Sequence, residues 1–177
     1  MARAGARRRF LGYTIGMQST LLVYAGSQNT VLELMGPASA RVSATLLPFV
    51  EQTMAGGMPR VQVDLAGCTG VDSTFLGCLL RLQRDHPGFS IACPSEAARK
   101  VFTSTRLDAV LRIVDHPLTH QRGTGVPLGI VDGEDPVRMG RHVLACHRAM
   151  LQVDGPHQEA CTAVVRHLTD GLGEESA

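Results

Sequence analysis

The stretch from Val61 to Gln83 constrains the chain more than any other. Val61-Gln62-Val63-Asp64-Leu65 alternates apolar and polar residues, the period-two pattern of a strand with one buried face. Asp72-Ser73-Thr74 then brings together the short polar side chains that cap helices. Beyond them Phe75, Leu76, Leu79, Leu80 and Leu82 fall on one side of a helix, with Arg81, Arg84 and Asp85 off it. A strand that passes through a short loop into an amphipathic helix has two apolar faces to cover. The chain is therefore expected to build a layered α/β core.

The flanking residues extend this pattern. Leu21 to Ala25 and Thr30 to Met35 read as two strands joined by a turn at Gly26-Ser27-Gln28-Asn29, with Gly36-Pro37 ending the second. From Ser39, the spacing of Val42, Leu46, Phe49, Val50 and Met54 predicts a helix of about four turns. Pro48 implies a kink or a fresh start within it. Phe89 to Cys93 reads as a strand, Pro94-Ser95 opens a helix carrying Ala98, Val101, Phe102 and Thr105, and Val110 to Val114 makes a last short strand. Two strands followed by alternating helix and strand predict a mixed β-sheet packed against helices.

Residues 116 to 135 are punctuated by Pro117, Gly123, Gly125, Pro127, Gly129 and Gly133 and read as a linker. Two helical stripes follow. The first, from Pro136 to about Val153, carries Val137, Val143, Leu144, His147, Met150 and Leu151. The second, from Pro156 to about Leu172, carries Cys161, Val164, Val165, Leu168 and Leu172. This C-terminal helical hairpin needs a partner for its apolar face: its own domain, a second copy in a homodimer, or another protein.

Composition removes several function classes. Aromatic residues make up 4% of the chain and Trp is absent, so base-stacking platforms for single-stranded nucleic acid have little to be built from. The formal charge of +1 conceals an asymmetry, because Arg3, Arg7, Arg8 and Arg9 lie at the extreme N-terminus and the rest is net acidic. Nucleic acid is accordingly not an expected partner. No apolar run approaches the roughly 18 to 20 residues that span a bilayer, so no membrane role is expected. Five widely spaced cysteines, without a CxxC pair, point to reduced thiols and a cytoplasmic setting. Arg7-Arg8-Arg9-Phe10-Leu11 resembles a twin-arginine export signal, with Val23-Tyr24-Ala25 as a cleavage site. The segment between is a poor apolar core, however, and cleavage would remove the first strand. Residues 1 to 17 are instead expected to be a disordered basic leader, or residues 1 to 16 an over-extension ahead of a true start at Met17.

The segment Val61 to Gly77 resembles the central motif of STAS domains, found in anti-sigma factor antagonists: a hydrophobic strand ending Asp-Leu, then Asp-Ser-Ser/Thr-x-Leu/Met-Gly opening a helix. Cys93 to Phe102, Leu107-Asp108 and Val110 to Val114 are similar to that family's last helix and strand. The Asp72-Ser73-Thr74-Phe75 variant resembles a subgroup that carries a C-terminal helical extension. The resemblance implies a STAS-like domain over residues 18 to 115, followed by the linker and a hairpin over residues 136 to 173. It also implies a binding module, not an enzyme. Its partner would be an anti-sigma factor or a serine kinase of the ATP-binding type, and phosphorylation at Ser73 would switch it off. Thr74 is the weaker candidate. The implied partner surface comprises Thr69, Gly70, Asp72, Ser73, Thr74, Phe75 and Gly77. One departure stands out: the family's usual Gly-Glu-Leu-Asp after the second strand is Gly36-Pro37-Ala38-Ser39 here, without the acidic residue. The alternative within the family is a non-phosphorylated structural subunit of a signalling or lipid-transport complex.

The position of Ser73 is compatible with a switch on physical grounds as well. At a strand-to-helix junction, beside unpaired N–H groups and the positive end of the helix dipole, a phosphate can be tolerated. The competing role is simpler, with Asp72 or Ser73 serving only as the helix N-cap. Other constellations are weaker. Asp72-Ser73 with His86 or His116 lacks a Gly-x-Ser-x-Gly elbow. Gly123 to Gly129 lacks the Lys-Ser/Thr of a phosphate loop and is expected to be a connector. Asp132, Glu134 and Asp135 are too few for a calcium loop. Two His-x3-Cys pairs, His142 with Cys146 and His157 with Cys161, form an N2S2 set of the kind zinc takes. Cys161 also belongs to an apolar stripe, and no metal or other cofactor is expected.

Overall fold

A computed structural model describes residues 18–118, 124–133 and 135–173. The expected basic leader, residues 1 to 17, lies outside them. Strands β1 (Thr20–Ala25), β2 (Thr30–Ala38), β3 (Val61–Val71), β4 (Phe89–Ala92), β5 (Ile113–Val114) and β6 (Val126–Leu128) form one mixed sheet in the order β5-β4-β3-β2-β1-β6. β1 pairs antiparallel with β2 and β6, whereas β2-β3, β3-β4 and β4-β5 are parallel. Helices α1 (Ala40–Ala55), α2 (Ser73–Asp85) and α3 (Glu96–Ser104) provide the parallel crossovers. The chain ends in α4 (Pro136–Met150) and α5 (Gln158–Leu172). The α/β class and mixed sheet with C-terminal helices are as the sequence predicts.

Four local expectations are corrected. β2 does not stop at Gly36-Pro37 but continues to Ala38, because parallel pairing with β3 resumes after register shifts on either side of Met35-Gly36. Gly36 makes this course passable at φ +91°, where a Cβ would lie 3.2 Å from the Ser19 backbone. α1 makes no fresh start at Pro48 but runs through it as one helix, held by buried Leu46, Leu47 and Val50 around the lost hydrogen bond. The strand from Phe89 ends at Ala92 because Cys93 turns into the left-handed region at φ 45°. The strand predicted over Val110 to Val114 shrinks to Ile113–Val114, since a 3-10 turn occupies Leu107–Ala109 and Leu107 within it and Leu111 after it fill the core.

The stretch read as a linker also contributes to the sheet. Val126–Leu128 pairs with β1, setting Leu21 opposite Leu128 and Val23 opposite Val126. Leu128 and Ile130 pack against the core, and Val131 is fixed between Thr45, which accepts its N–H at 3.0 Å, and the Arg41 guanidinium. Three residues are too short a run to show periodicity.

One hydrophobic core joins the sheet, α1, α2, α3 and the C-terminal helices. It contains Leu32, Leu34, Val61, Val63, Leu65, Phe75 and Leu79 together with Cys146, Met150 and Cys161. α4 lies so close on α2 that a Cβ on Gly77 would sit 2.1 Å from the Cys146 carbonyl oxygen. Only glycine permits this backbone-to-backbone approach. The apolar face of α4 is thus covered by its own chain, although Val137 on the expected stripe stays 49% exposed. Among the described residues no helix is long and apolar enough to cross a membrane. Gly77→Ala is expected to destabilise the protein by at least about 1–3 kcal/mol in urea unfolding, because backbone atoms cannot yield as a side chain does. An unchanged midpoint would show that the two helices are not in contact.

Candidate functional site

The loop between β3 and α2 sits where three helices begin. Asp72 is the N-cap of α2, and its Oδ1 accepts the Phe75 N–H at 2.8 Å. Its Oδ2 accepts the Ala40 N–H, also at 2.8 Å, which is the first amide of α1. Ser39, the formal N-cap of α1, makes no side-chain cap bond, so Asp72 takes over that task. One carboxylate therefore satisfies amides at two helix starts and draws on both dipoles. Ser95 anchors the other side of the loop: its hydroxyl donates to the Cys68 carbonyl at 2.6 Å and accepts the Ala98 N–H at 3.2 Å, capping α3.

Ser73 is the first residue of α2 and is exposed. Its Oγ lies 3.0 Å from Nε2 of His147, a residue of α4 that is 3% exposed. Nδ1 of the same ring lies 2.9 Å from the Val143 carbonyl, which can only accept, so Nδ1 carries the proton. In the neutral ring the Ser73 hydroxyl then donates to Nε2. A second imidazole on α4 makes the matching contact with α1. Ser43 Oγ donates to the Ala40 carbonyl at 2.9 Å, so Nε2 of His142, at 2.8 Å, donates to Ser43. α4 thus reaches the first turns of both helices that Asp72 ties together.

The implied partner residues divide into two groups. Thr69, Asp72 and Ser73 are exposed and Gly70 is half-buried, forming a continuous surface at the end of the sheet. Thr74 and Phe75 are buried, at 5% and 0% exposure, and Gly77 is covered by α4. These three support the surface from inside and are not part of it. The expectation fails for them because the helix turns its second, third and fifth residues inward, whereas a linear motif carries no record of which way a residue faces.

His147 escaped the sequence reading as a site residue. Its place on the apolar stripe of α4 made it look like filler, and its separation of 74 residues from Ser73 left no local signal. Neither His86 nor His116 is the histidine bonded to Ser73; His86 is the C-cap at the far end of α2. The zinc set is not assembled either. Cys146 Sγ lies 3.7 Å from His142 Nε2, but that nitrogen serves Ser43, and His157 Nε2 donates to the Met150 carbonyl at 2.9 Å. Among the described residues no group of three or more His, Cys, Asp or Glu side chains is arranged to hold a metal. All five cysteines are free. Burial pushes the Cys78 thiol well above its ordinary value and that of Cys146 up to about 11, so both are held as unreactive thiols.

A family model described as "Mlab, STAS domain" matches residues 22–115, just over half of the chain. The chain belongs to the STAS domain family. The match ends before β6, so His142 and His147 reach the site from outside the family's domain. Among the solved structures that match is a proposed anti-sigma factor antagonist from Thermotoga maritima, seen in a crystal structure. It is 17% identical, with 54% of this chain and 86% of that chain covered and a TM-score of 0.49. The NMR structure of the same Thermotoga protein is 15% identical over 65% of this chain and 90% of that one, with a TM-score of 0.47. No curated protein matches the chain.

Burial, followed by the charges of Arg81 and Arg138, lowers the pKa of His142 from 6.5 to about 4. The unfolded chain takes up this proton near 6.5 and the folded one only near 4, so in that window the unfolded state binds more protons. This contribution to stability is complete above the window and is lost as pH falls through it. Denaturant unfolding of wild type and His142→Gln at pH values across the window is expected to show the variant gaining on wild type as pH falls. Parallel curves would place the His142 ring in water.

Proposed function

We propose that this protein is a regulatory binding module of the anti-sigma factor antagonist kind. In this reading it binds an anti-sigma factor or an ATP-binding serine kinase through the surface around Thr69 to Ser73, and phosphorylation at Ser73 switches it. The observation that carries this reading is the separation of tasks between neighbours. Asp72 holds both helix starts through two 2.8 Å bonds, whereas Ser73 is an exposed residue whose hydroxyl caps neither. A phosphoryl group on Ser73 adds about 1.5 to 2 negative charges beside the Asp72 carboxylate without removing a cap. The fold then survives modification, while the potential met by an incoming partner changes sharply. Buried Thr74 is no longer an alternative acceptor in this reading. The protein acts by binding, not catalysis, in a reducing cytoplasm that suits its free thiols.

A second reading has its own support. The Ser73 hydroxyl already has a structural partner in His147, as expected of a serine in an unmodified STAS subunit of a larger complex. The two readings separate when wild type, Ser73→Ala and Ser73→Asp are used as parallel baits. A switch predicts that an ATP-binding serine kinase or anti-sigma factor is retained by wild type and Ser73→Ala, and about tenfold less by Ser73→Asp. Equal retention of the same partners by all three would make the protein a fixed subunit.

A further inference from the structure

The residue bonded to Ser73 belongs to the C-terminal hairpin and not to the STAS domain. We propose that this hairpin is an intramolecular receptor for a phosphoryl group on Ser73, with His147 as the residue that holds it. The proposal deepens the reading of Ser73 as a modified position and rests on it.

Three observations carry the inference. The Val143 carbonyl fixes a proton on Nδ1 of His147, so in the neutral ring Nε2 faces Ser73 with its lone pair. Esterification of Oγ removes the only proton that Ser73 can offer to Nε2. The buried imidazole is left next to a phosphate dianion, which favours its protonated form. Nε2–H then donates to a phosphate oxygen in a charge-assisted hydrogen bond, stronger than the neutral one it replaces.

The second observation is rigidity. Cys146, adjacent to His147, has its backbone against Gly77 of α2, and both Cys146 and Met150 are fully buried. The ring therefore cannot drift from the start of α2 while α4 stays docked. The third is the arrangement of nearby charge. Asp72, the adjacent anion, has both carboxylate oxygens engaged by the Phe75 and Ala40 amides. Arg81 lies further along α2, beside Cys146. Ser73 is exposed, so the remaining phosphate oxygens stay in water.

Phosphorylation then tightens α4 on α2 instead of releasing it. The partner surface changes in two ways at once: it gains negative charge, and the hairpin beside it is locked down.

The test installs phosphoserine at position 73 during translation, so the result depends on no kinase and no partner. A failure to find native phosphorylation would undo the switch but leave this measurement intact. With nitrogen-labelled histidine at neutral pH, His147 Nε2 is expected to move from the signal of an unprotonated ring nitrogen to that of a protonated one. Amides of residues 143 to 150 should exchange at least threefold more slowly than in the unmodified protein. In the phosphorylated His147→Gln variant that slowing should disappear. The wild-type comparison needs no substitution and stands even if this variant folds poorly. An unprotonated Nε2, or amides in 143 to 150 that exchange equally fast or faster, would overturn the proposal.

Discussion

The two hydrogen bonds accepted by Asp72 organise this end of the molecule. α1 and α2 follow different strands, β2 and β3, and their first turns meet because one carboxylate accepts an amide from each. Caps of this kind contribute about 0.5–2 kcal/mol each. Their geometric effect reaches further. With Asp72 committed to the backbone, the Ser73 hydroxyl is not needed as a cap and meets His147 instead, and the first turns of α1 and α2 form a joint platform on which α4 rests.

α4 uses that platform symmetrically. His142 donates to Ser43 on α1, while His147 meets Ser73 on α2. Between the two contacts the absent side chain of Gly77 lets the helix backbones touch. The hairpin is therefore part of the architecture around Ser73, although it lies beyond the residues that define the family. The loop, the exposed serine and the flank of α4 together make up this surface. Burial on α2 and α4 likewise explains why Cys78 and Cys146 are chemically quiet.

The β3–loop–α2 unit was legible in the sequence because each of its signals is local. Alternation in Val61 to Leu65, a capping aspartate and a one-sided run of leucines each need only a few residues to be read. The helix of α1 was also legible, but its continuity through Pro48 was not, since Leu46, Leu47 and Val50 hold it by tertiary packing. β6 was hidden because three residues among glycines and prolines show no pattern, and the edge of β1 supplies their order. The motif identified Ser73, whereas only the fold could reveal that Thr74, Phe75 and Gly77 face inward. His147 is the clearest case. A histidine on an apolar stripe acquires meaning only from what lies opposite it, and here that is 74 residues away.

The union of the STAS domain and hairpin at Ser73 is tested most directly by a double-mutant cycle. Unfolding free energies of wild type, Ser73→Ala, His147→Gln and the double variant are compared under one set of conditions. A hydrogen bond between a buried ring and the serine predicts a coupling energy of about 0.5–1.5 kcal/mol. Strictly additive effects, with coupling near zero, would mean that the hairpin does not sense Ser73.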